Sequence, residues 1–542
     1  MSEPSPAAVI VLAAGQGTRM RSSTPKVLHT IGGRSLLGHV LGTGRALAPE
    51  HLVAVIRHDR DRVAEHICAL APEVLIADQD AVPGTGRAVQ CGLNALDAVV
   101  QGRELAGGRP AGDEPTTRTA ADLPVSGEPA PATDEAALSG TIVVLLGDVP
   151  LLEPAALQDF LAEHHHQGQA VTVLTTHVPD PTGYGRIVRD GTGQVTQIVE
   201  HKDASDAQRD LTEINTGVFA FDAEVLRTGL AGLRGQNSQG EVYLTDVLQS
   251  AHLGGHRVGA VPVTDWIQVE GVNDRVQLAH LGAELNRRTL RHWMRQGVSV
   301  VDPASTWVDV DVELEPDVTL FPGTQLHGHT QVCTGAAIGP DTTLTDVQVG
   351  AGASVVRSHG SGAQIGENAE IGPFAYLRPG TVLGQDGKIG TFVETKNAQI
   401  GDGSKVPHLS YIGNATIGRE TNVGAASVTV NYDGVTKHRT TIGDHARTGA
   451  DNMFVAPVQI GDGAYTGAGT VVRRDVPPGA LGVSGGGQRN IDGWVIKRRE
   501  GTAAAEAAQA ALQSSGEEAD ISPQARAERR RAEEPNEGNT PR

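Results

Sequence analysis

Hydrophobic residues in the first part of the chain form short runs with little polar interruption. Consecutive apolar positions are typical of strands that are buried on both faces of a parallel sheet. The runs lie at residues 8–12, 51–56, 74–77 and 141–146. Helix-compatible stretches, such as residues 36–47, lie between them. The pattern predicts an α/β domain over residues 1–275.

Two segments lack any apolar period. Residues 101–139 carry five prolines among Gly, Thr, Glu and Ala, and we expect a disordered insertion there. The tail at 499–542 is rich in Ala, Glu, Gln and Arg and then becomes polar. We expect this tail to be disordered, with transient helix over residues 503–512.

Residues 276–296 change to helical spacing. Apolar side chains recur there at intervals close to one helical turn, among Arg, Asn and His; they are Leu278, Leu281, Leu285 and Trp293. The pattern predicts a linker helix between two domains.

An aliphatic–Gly pair recurs through the remainder of the chain, over residues 297–498. Twelve such pairs run from Ile338-Gly339 to Ile460-Gly461, and most are separated by six residues or by a multiple of six within one residue. Hexapeptide repeats of this kind, three to a coil of about 18 residues, indicate a parallel β-helix. We expect each aliphatic residue to point inward and each glycine to occupy a corner, where a positive φ or a close backbone approach is needed.

Composition agrees with this organisation and excludes several classes of protein. Aromatic residues make up only 3% of the chain, as expected for an aliphatic core of stacked coils. The formal net charge of −20 argues against a general nucleic-acid binder. The three cysteines are scattered, so neither a disulfide framework nor a Cys-x-x-Cys metal site is expected. Without a signal-peptide pattern or a run of about 18 apolar residues, we expect a cytoplasmic protein that binds neither nucleic acid nor membrane.

The first candidate site follows the first predicted strand. Residues 12–20 read LAAGQGTRM, and Pro25-Lys26 comes shortly after. A Gly-containing loop lets backbone N–H groups approach a phosphate, while Arg19 and Lys26 supply two cations for the charge that develops in phosphoryl transfer. The run is not a Walker A loop, and it lacks the third glycine of the dinucleotide fingerprint. It predicts a phosphoryl-transfer site of another kind.

A metal site is a second candidate. Asp148 follows the strand at 141–146, at the sheet edge where open α/β folds bind ligands. A lone aspartate there is more often a cap, but Asn273 in the sequence Val-Glu-Gly-Val-Asn offers a second oxygen, and such oxygens suit Mg²⁺. Other segments are equally compatible with turns and with ligand contacts; they lie around Gly84, Gly185, Glu200 and Asn215.

The third candidate interrupts the hexapeptide phase. His408 stands in the run Lys-Val-Pro-His-Leu-Ser-Tyr, before Ile412-Gly413. Histidine ordinarily titrates near neutral pH, so it suits a general base that removes a proton from an attacking amine. Arg378, Lys396 and Tyr411 are candidate sugar-phosphate ligands nearby. These residues are compatible with acyl transfer to an amine.

Together the N-terminal runs resemble those of the sugar-1-phosphate nucleotidyltransferases. Combined with the hexapeptide repeat, the chain resembles the bacterial family of bifunctional N-acetylglucosamine-1-phosphate uridyltransferase/glucosamine-1-phosphate N-acetyltransferases, of the actinobacterial type. The resemblance covers about residues 8–100, 140–300 and 310–497. It implies an α/β Rossmann-like nucleotidyltransferase domain followed by a left-handed parallel β-helix, with synthesis of UDP-N-acetylglucosamine for the cell wall as the function.

The resemblance also implies roles for the N-terminal residues. Arg19 and Lys26 would stabilise the phosphates of UTP as the sugar-1-phosphate oxygen attacks, and Asp148 and Asn273 would hold Mg²⁺. The residues implied to bind UTP or UDP-N-acetylglucosamine are Leu12, Ala13, Ala14, Gly15, Lys26, Gln79, Gly84, Thr85, Gly185, Glu200, Asn215 and Asn273.

For the C-terminal domain, the resemblance implies His408 as the general base and an active site between the subunits of a homotrimer. Glucosamine-1-phosphate would bind to Arg378, Lys396, Tyr411 and Asn422, and acetyl-CoA to Ala425, Asn431, Tyr432, Ala450 and Ala468. Two positions depart from the family pattern: Ala450 replaces an expected Ser, and Gly485 stands where some members carry Arg. Both departures concern acetyl-CoA binding.

Two alternatives remain open at this point. In one, the chain is a nucleotidyltransferase whose β-helix serves only oligomerisation or regulation. In the other, it is a non-catalytic scaffold or exchange-factor subunit, which would predict loss of Arg19, Lys26 or Asp148.

Overall fold

The computed structural model describes residues 5–102, 137–233, 240–485 and 490–514. The chain divides into two compact units, Met1–Gly482 and Val483–Arg542. The insertion predicted at 101–139 lies mostly outside the described residues, as does the tail from residue 515 onward.

The larger unit begins with an α/β domain built on a nine-stranded sheet. The domain's strands, with one separate hairpin, are β1 (Ala8–Leu12), β2 (Thr30–Ile31), β3 (Arg34–Ser35), β4 (His51–Ile56), β5 (Leu75–Asp78), β6 (Thr141–Leu146), β7 (Val171–His177), β8 (Arg186–Arg189), β9 (Val195–Val199), β10 (Glu213–Asp222) and β11 (Val258–Pro262). The order is β11-β7-β10-β6-β1-β4-β5, and β8 pairs with β10 and β9. The sheet is mixed, because β10 runs antiparallel to β6 and β7.

Helices cover both faces of this sheet. They are α1 (Leu36–Ala46), α2 (Arg60–Leu70), α3 (Thr85–Val100), α4 (Pro154–His166), α5 (Asp206–Arg209), α6 (Ala223–Gly232) and α7 (Thr245–Leu253), with 3-10 turns at Thr18–Met20, Lys26–Leu28 and Trp266–Val269. Residues on opposite sides of β1 enter separate clusters: Ile10 packs with α3, and Val9 packs with α1. Double burial explains why β1, β4 and β6 are continuously apolar.

A single helix, α8 (Arg275–Arg295), connects the α/β domain to the following domain. Asp274 caps its first turn by accepting hydrogen bonds from the N–H groups of Val276 and Gln277. Leu281 packs in a small cluster beneath the first candidate loop, whereas Leu290 belongs to the core of the next domain. The β2–β3 hairpin adds a second connection, since the Val310 N–H donates to Gly32 O at 3.0 Å.

The second domain of this unit is a parallel β-helix. Its strands are β12 (Ser299–Val300), β13 (Trp307–Val308), β14 (Glu313–Leu314), β15 (Thr319–Leu320), β16 (Gln325–His327), β17 (Gln331–Val332), β18 (Ala337–Ile338), β19 (Thr343–Thr345), β20 (Gln348–Val349), β21 (Ser354–Val355), β22 (His359–Ser361), β23 (Gln364–Ile365), β24 (Glu370–Ile371), β25 (Tyr376–Leu377), β26 (Val382–Leu383), β27 (Lys388–Thr391), β28 (Glu394–Ile400), β29 (Lys405–His408), β30 (Tyr411–Ile417), β31 (Val428–Val430), β32 (Thr440–Ile442), β33 (Met453–Val455), β34 (Val458–Ile460), β35 (Tyr465–Thr466), β36 (Val471–Val472) and β37 (Leu481–Gly482). Each strand pairs with its equivalent one coil later, as in Ile338↔Val355 and Val355↔Ile371. The aliphatic member of each repeat points into the core, as predicted.

The glycines of the repeat serve mainly one of the two purposes predicted for them. A Cβ on Gly366 would lie 2.5 Å from the carbonyl carbon of Gly384, and a Cβ on Gly384 would lie 2.3 Å from Asp402 Oδ1. Neither glycine has a positive φ, so close approach of successive coils is the reason for them. Positive φ angles occur instead at other corner residues, such as Phe392 and Leu409.

The smaller unit contains α9 (Trp494–Arg498) and α10 (Ala503–Ser514). Helix α10 coincides with the stretch where transient helix was expected, over residues 503–512, and its Ala-rich sequence has high helix propensity. Among the described residues, no helix has the length and hydrophobicity needed to cross a membrane.

Candidate active sites

The first candidate site lies where two parallel strands end side by side. Leu12 of β1 is paired with Leu146 of β6, and Gly147 N–H donates to Leu12 O at 2.9 Å. From β1 the chain continues to β4 on one side of the sheet and later returns to β6 on the other side, so the strand order reverses at β1. Open α/β sheets bind ligands at such a reversal. The loop after β1 and the loop that carries Asp148 therefore face one another.

A cavity of about 240 Å³ opens at this edge of the sheet. Its lining includes seven of the residues assigned to the site from sequence, namely Leu12, Thr85, Asp148, Gly185, Glu200, Asn215 and Asn273. Gln79 and Gly84 adjoin it through a 3.2 Å hydrogen bond from Gln79 Nε2 to Gly84 O, next to Thr85. The remaining members of the predicted set are outside the lining: Ala13 is buried, and Ala14 and Gly15 are at least partly exposed. Arg19 and Lys26 are also outside it but contact the lining residues Asn273 and Asp148.

The cations and the predicted metal ligands are paired with one another. Lys26 Nζ forms an ion pair with Asp148 Oδ2, and Arg19 Nη2 donates to Asn273 Oδ1 at 2.8 Å. Both members of the Lys26–Asp148 pair are largely buried. Gly17 allows this arrangement, because it has a φ of +64° and a Cβ there would lie 2.5 Å from Lys26 Cβ. The resemblance implied that these four side chains act in one reaction, and the structure brings them together as two contacting pairs.

The oxygens of Asp148 and Asn273 suit a hard divalent cation. Within the described ranges, no group of three or more His, Cys, Asp or Glu side chains could hold a metal ion. A metal at this position would therefore take two protein oxygens and fill its remaining positions with phosphate and water oxygens, as Mg²⁺ commonly does at phosphoryl-transfer sites.

The opposite end of the cavity is uncharged apart from Glu200. Asn215 N–H donates to Gly185 O at 2.9 Å, and a Cβ on Gly185 would lie 3.4 Å from both carboxylate oxygens of Glu200. Burial raises the pKa of the Glu200 carboxyl, against a hydrogen bond from Thr245 Oγ1 at 3.4 Å that lowers it. Aliphatic and amide groups beside one carboxylate match the hydroxyl and amide groups of a sugar.

Several cavity residues had no role assigned from sequence. Tyr184, Thr216 and Thr245 all line the wall. Tyr184 and Thr216 are adjacent in sequence to assigned residues, so the motifs of those residues indicate them as well. Thr245 begins α7 in a segment without a recognisable motif, so no sequence signal marks it.

The second candidate site is a column of corner residues on the β-helix. His408 ends β29 and is paired with Thr391 of the preceding coil. In each of the next three coils, the N–H of a corner residue donates to a carbonyl oxygen of the coil before it. These bonds join Ala426 to His408 at 3.2 Å, Asp451 to Ala425 at 2.7 Å and Gly469 to Ala450 at 2.8 Å. His408, Ala425, Ala450 and Ala468 therefore occupy equivalent positions in four successive coils.

The predicted sugar-phosphate ligands lie along the neighbouring face. Glu394 of β28 pairs with Tyr376 on one side and with Tyr411 on the other. Arg378 follows β25, and its Nη1 donates to Glu394 Oε1 at 2.9 Å, which raises the pKa of the guanidinium. Lys396 lies in the next coil, opposite Gly413. Arg378, Lys396 and Tyr411 therefore belong to adjacent coils.

Asn422 and the loop residues occupy different surroundings. Asn422 pairs with Lys405 and Arg447 on the face that carries His408. Asn431, which the resemblance assigns to acetyl-CoA binding, precedes the exposed loop at residues 432–437, but it is itself only 9% exposed and donates through Nδ2 to Asn414 Oδ1 at 3.1 Å. It lies at the base of the loop, because β31 continues to the preceding residue and holds it in the coil. Tyr432 is exposed, and its hydroxyl donates to Gly434 O at 2.6 Å.

Comparison with known families matches both domains. The MobA-like NTP transferase domain matches residues 9–209, the nucleotidyl transferase family matches residues 129–310, and the bacterial transferase hexapeptide (six repeats) matches residues 439–474. The fold and the two sites thus define a nucleotidyltransferase joined to a hexapeptide-repeat transferase, with a left-handed parallel β-helix as the second domain.

The curated relatives cover both domains together. The chain is 59% identical over 506 residues to the bifunctional protein GlmU of Kineococcus radiotolerans, covering 93% of this chain and 95% of the relative. It is 56% identical to the GlmU proteins of Paenarthrobacter aurescens and Rhodococcus jostii, with 93% and 94% of this chain and 95% of each relative covered. The chain belongs to the bifunctional GlmU family.

The family and function expected from the sequence are confirmed. The protein is an N-acetylglucosamine-1-phosphate uridyltransferase and a glucosamine-1-phosphate N-acetyltransferase, acting in the synthesis of UDP-N-acetylglucosamine for the cell wall. The alternatives of a purely structural β-helix and of a non-catalytic scaffold are thereby excluded.

Proposed function

We propose that the α/β cavity binds UTP and N-acetylglucosamine-1-phosphate at opposite ends, with the four paired side chains between them. The observation that carries this is the contact of Lys26 with Asp148 and of Arg19 with Asn273 at one edge of a cavity whose other end is formed by Glu200, Gly185 and Asn215. Cations suit the triphosphate, and a wall that is uncharged apart from Glu200 suits the sugar.

In this arrangement the protein acts by positioning and charge stabilisation. The sugar wall orients the 1-phosphate so that its oxygen attacks the α-phosphorus of UTP in line, and the bond to pyrophosphate breaks. Lys26 and Arg19 leave their present partners and hold the phosphate oxygens as negative charge develops on them. Asp148 and Asn273 would then be free to hold Mg²⁺, which supplies further charge neutralisation when bound.

For acetyl transfer we propose that His408 accepts a proton from the amine of glucosamine-1-phosphate while the nitrogen attacks the thioester of acetyl-CoA and free coenzyme A leaves. Arg378, Lys396 and Tyr411 hold the phosphate and the sugar. Acetyl-CoA lies along the corner column, where the methyl groups of Ala425, Ala450 and Ala468 leave room for it.

We propose that the protein is a homotrimer in the cytoplasm. An apolar ridge supports assembly through the same corner: Phe374, Phe392 and Leu409 are 52%, 58% and 60% exposed. The rings of Phe374 and Phe392 stack with centroids 5.4 Å apart. A contiguous exposed apolar surface of this kind is typical of subunit interfaces, and closed cyclic symmetry would place a partner beside every His408.

An assay with separate readouts tests these assignments. Protein is supplied with glucosamine-1-phosphate, acetyl-CoA, UTP and Mg²⁺, and free thiol and pyrophosphate are measured separately; sedimentation gives the number of subunits. We expect thiol release without UTP, and pyrophosphate release that stops on chelation of the metal. Pyrophosphate release in excess chelator would contradict the metal assignment, and a monomer with full thiol release would contradict the intersubunit site.

A further inference from the structure

Arg186, the first residue of β8, is buried to an unusual degree for its charge. It is 1% exposed and is the largest of the fully buried side chains among the described residues. Removing a guanidinium from water is costly unless a carboxylate compensates it. In the described part of the chain, its hydrogen-bond partners are instead two backbone carbonyls and a histidine ring.

These partners belong to three separate segments. Arg186 Nη1 donates to the carbonyl of Tyr184, and Nη2 donates to Arg209 O at 3.3 Å and lies 3.4 Å from His201 Nδ1. One partner precedes β8, one follows β9 and one ends α5. The guanidinium thus adds a side-chain connection among three segments, two of which also meet through the pairing of β8 with β9, where Arg186 lies opposite Val199.

Two of the three loops form the sugar end of the cavity. Tyr184, whose carbonyl is one of the partners, lines the wall together with Gly185. Glu200, which also lines the wall, directly precedes the second partner, His201. The two loops meet closely, as the 3.4 Å approach of a Gly185 Cβ to the Glu200 carboxylate shows. A shift of either loop would therefore change the separation between Gly185 and Glu200.

We propose that Arg186 is a positioning residue for the sugar-1-phosphate: it clamps the Tyr184 carbonyl and the His201 ring, and so fixes the wall formed by Gly185 and Glu200. The proposal rests on the sugar subsite proposed above. The planar guanidinium carries several N–H donors that can reach acceptors in different directions, whereas lysine donates from a single nitrogen. Arg186 itself lies outside the cavity lining, so it acts through its neighbours.

The test uses Arg186→Met and Arg186→Lys in the full-length protein. We expect KM for N-acetylglucosamine-1-phosphate to rise about tenfold in Arg186→Met, a loss of about 1.4 kcal/mol, with kcat and KM for UTP changed less than about twofold. Arg186→Lys should recover part of the loss. Thiol release by the same molecules should be unchanged, since that site lies in the β-helix.

Arg189→Met is the matched control. Arg189 ends the same strand and pairs with Glu213, and neither residue lines the cavity, so its replacement should leave both KM values unchanged. Equal increases in KM for the sugar phosphate and for UTP, or no increase for either, would show that Arg186 has no positioning role. If Arg186→Met does not fold, the ratio of the two KM values in Arg186→Lys decides the matter.

Glu200→Gln distinguishes the role proposed for Arg186 from the sugar subsite on which that role depends. An increase in KM for the sugar phosphate in Glu200→Gln but not in Arg186→Met would overturn the role of Arg186 alone. No increase in Glu200→Gln would contradict the sugar subsite, and the role of Arg186 with it.

Discussion

The candidate site of the α/β domain is a cavity whose walls come from loops far apart in sequence, whereas the candidate site of the β-helix is a column repeated from coil to coil. In the cavity, cations and oxygens are already paired, as Lys26 is with Asp148. On the column, His408 is followed by small residues at equivalent positions, and no loop has to be held in place to form it. The first site depends on individual contacts between loops, and the second depends on the stacking of coils.

This difference predicts that each activity can be removed without the other. His408→Ala should lower the rate of thiol release about 10³-fold, because the base that accepts the amine proton is lost. Pyrophosphate release from N-acetylglucosamine-1-phosphate and UTP should remain at the wild-type rate. His329→Ala, which replaces an exposed histidine elsewhere on the β-helix, is the control. Loss of both activities in His408→Ala would indicate that the two sites are not independent.

Replacing Lys26 is the corresponding change in the cavity. Lys26→Gln should lower kcat for pyrophosphate release about 10²-fold, since a cation that stabilises the developing phosphate charge is lost, and should leave thiol release unchanged. The control is Lys388→Gln, which breaks an exposed ion pair with Glu370 on the β-helix. A rate within threefold of wild type in Lys26→Gln would place the phosphate-binding cations elsewhere.

The dependence of the β-helix on stacking can be measured directly. Gly384→Ala should destabilise that domain by about 2 kcal/mol, because the new Cβ would approach Asp402 Oδ1 to 2.3 Å and Asp402 N to 2.6 Å. Thermal unfolding should show a fall in Tm of several degrees. Gly191→Ala in the α/β domain, where a Cβ would meet no atom within 4 Å, should change Tm very little. Equal Tm values for the two variants would contradict the close-approach explanation of the repeat.

The two domains should also respond oppositely to pH. Burial, with a smaller contribution from His165, lowers the pKa of His164 in α4 to about 4, so its contribution to stability is complete above about pH 6.5 and is lost as the pH falls toward 4. The loss should reach about 2 kcal/mol by pH 5. Asp309 raises the pKa of His327 in the β-helix, and that contribution is complete below about pH 6.5 and is lost as the pH rises.

Unfolding of the α/β domain between pH 7 and pH 5 checks the first of these contributions. His164→Gln should flatten the dependence, whereas His166→Gln, at an exposed position of the same helix, should not. A pH dependence unchanged in His164→Gln would assign the effect to other groups.

Sequence patterns predicted the β-helix better than they predicted its chemistry. A hexapeptide phase specifies strand, turn and core position together, so one repeated pair of residues was enough to identify the architecture. The sequence left open whether its glycines serve a positive φ or a close approach, because contact between coils joins residues about 18 apart in the chain. The sequence indicated only transient helix where α10 lies, because Ala, Glu and Gln are common both in helices and in disordered segments.

In the α/β domain, residues in recognisable motifs could be proposed for the site from the sequence, and those that reach it only through tertiary contact could not. Arg19, Lys26 and Asp148 stand in recognisable runs, while Thr245 reaches the cavity from a helix without one. The burial of Asn431 was also beyond prediction, because its partner Asn414 belongs to the preceding coil. Pairing between distant segments is decided by the fold as a whole and not by local sequence.

The helix α8 determines how far the protein can be divided into modules. Asn273 lies two residues before its first residue, Arg275. Leu281 packs in the cluster beneath the loop that follows β1, and Leu290 belongs to the core of the β-helix. A fragment ending before α8 would keep Asn273 and lose the support of that loop, and a fragment beginning after α8 would expose the first coils. If the gene were divided between the two domains, both resulting proteins would therefore need a copy of α8.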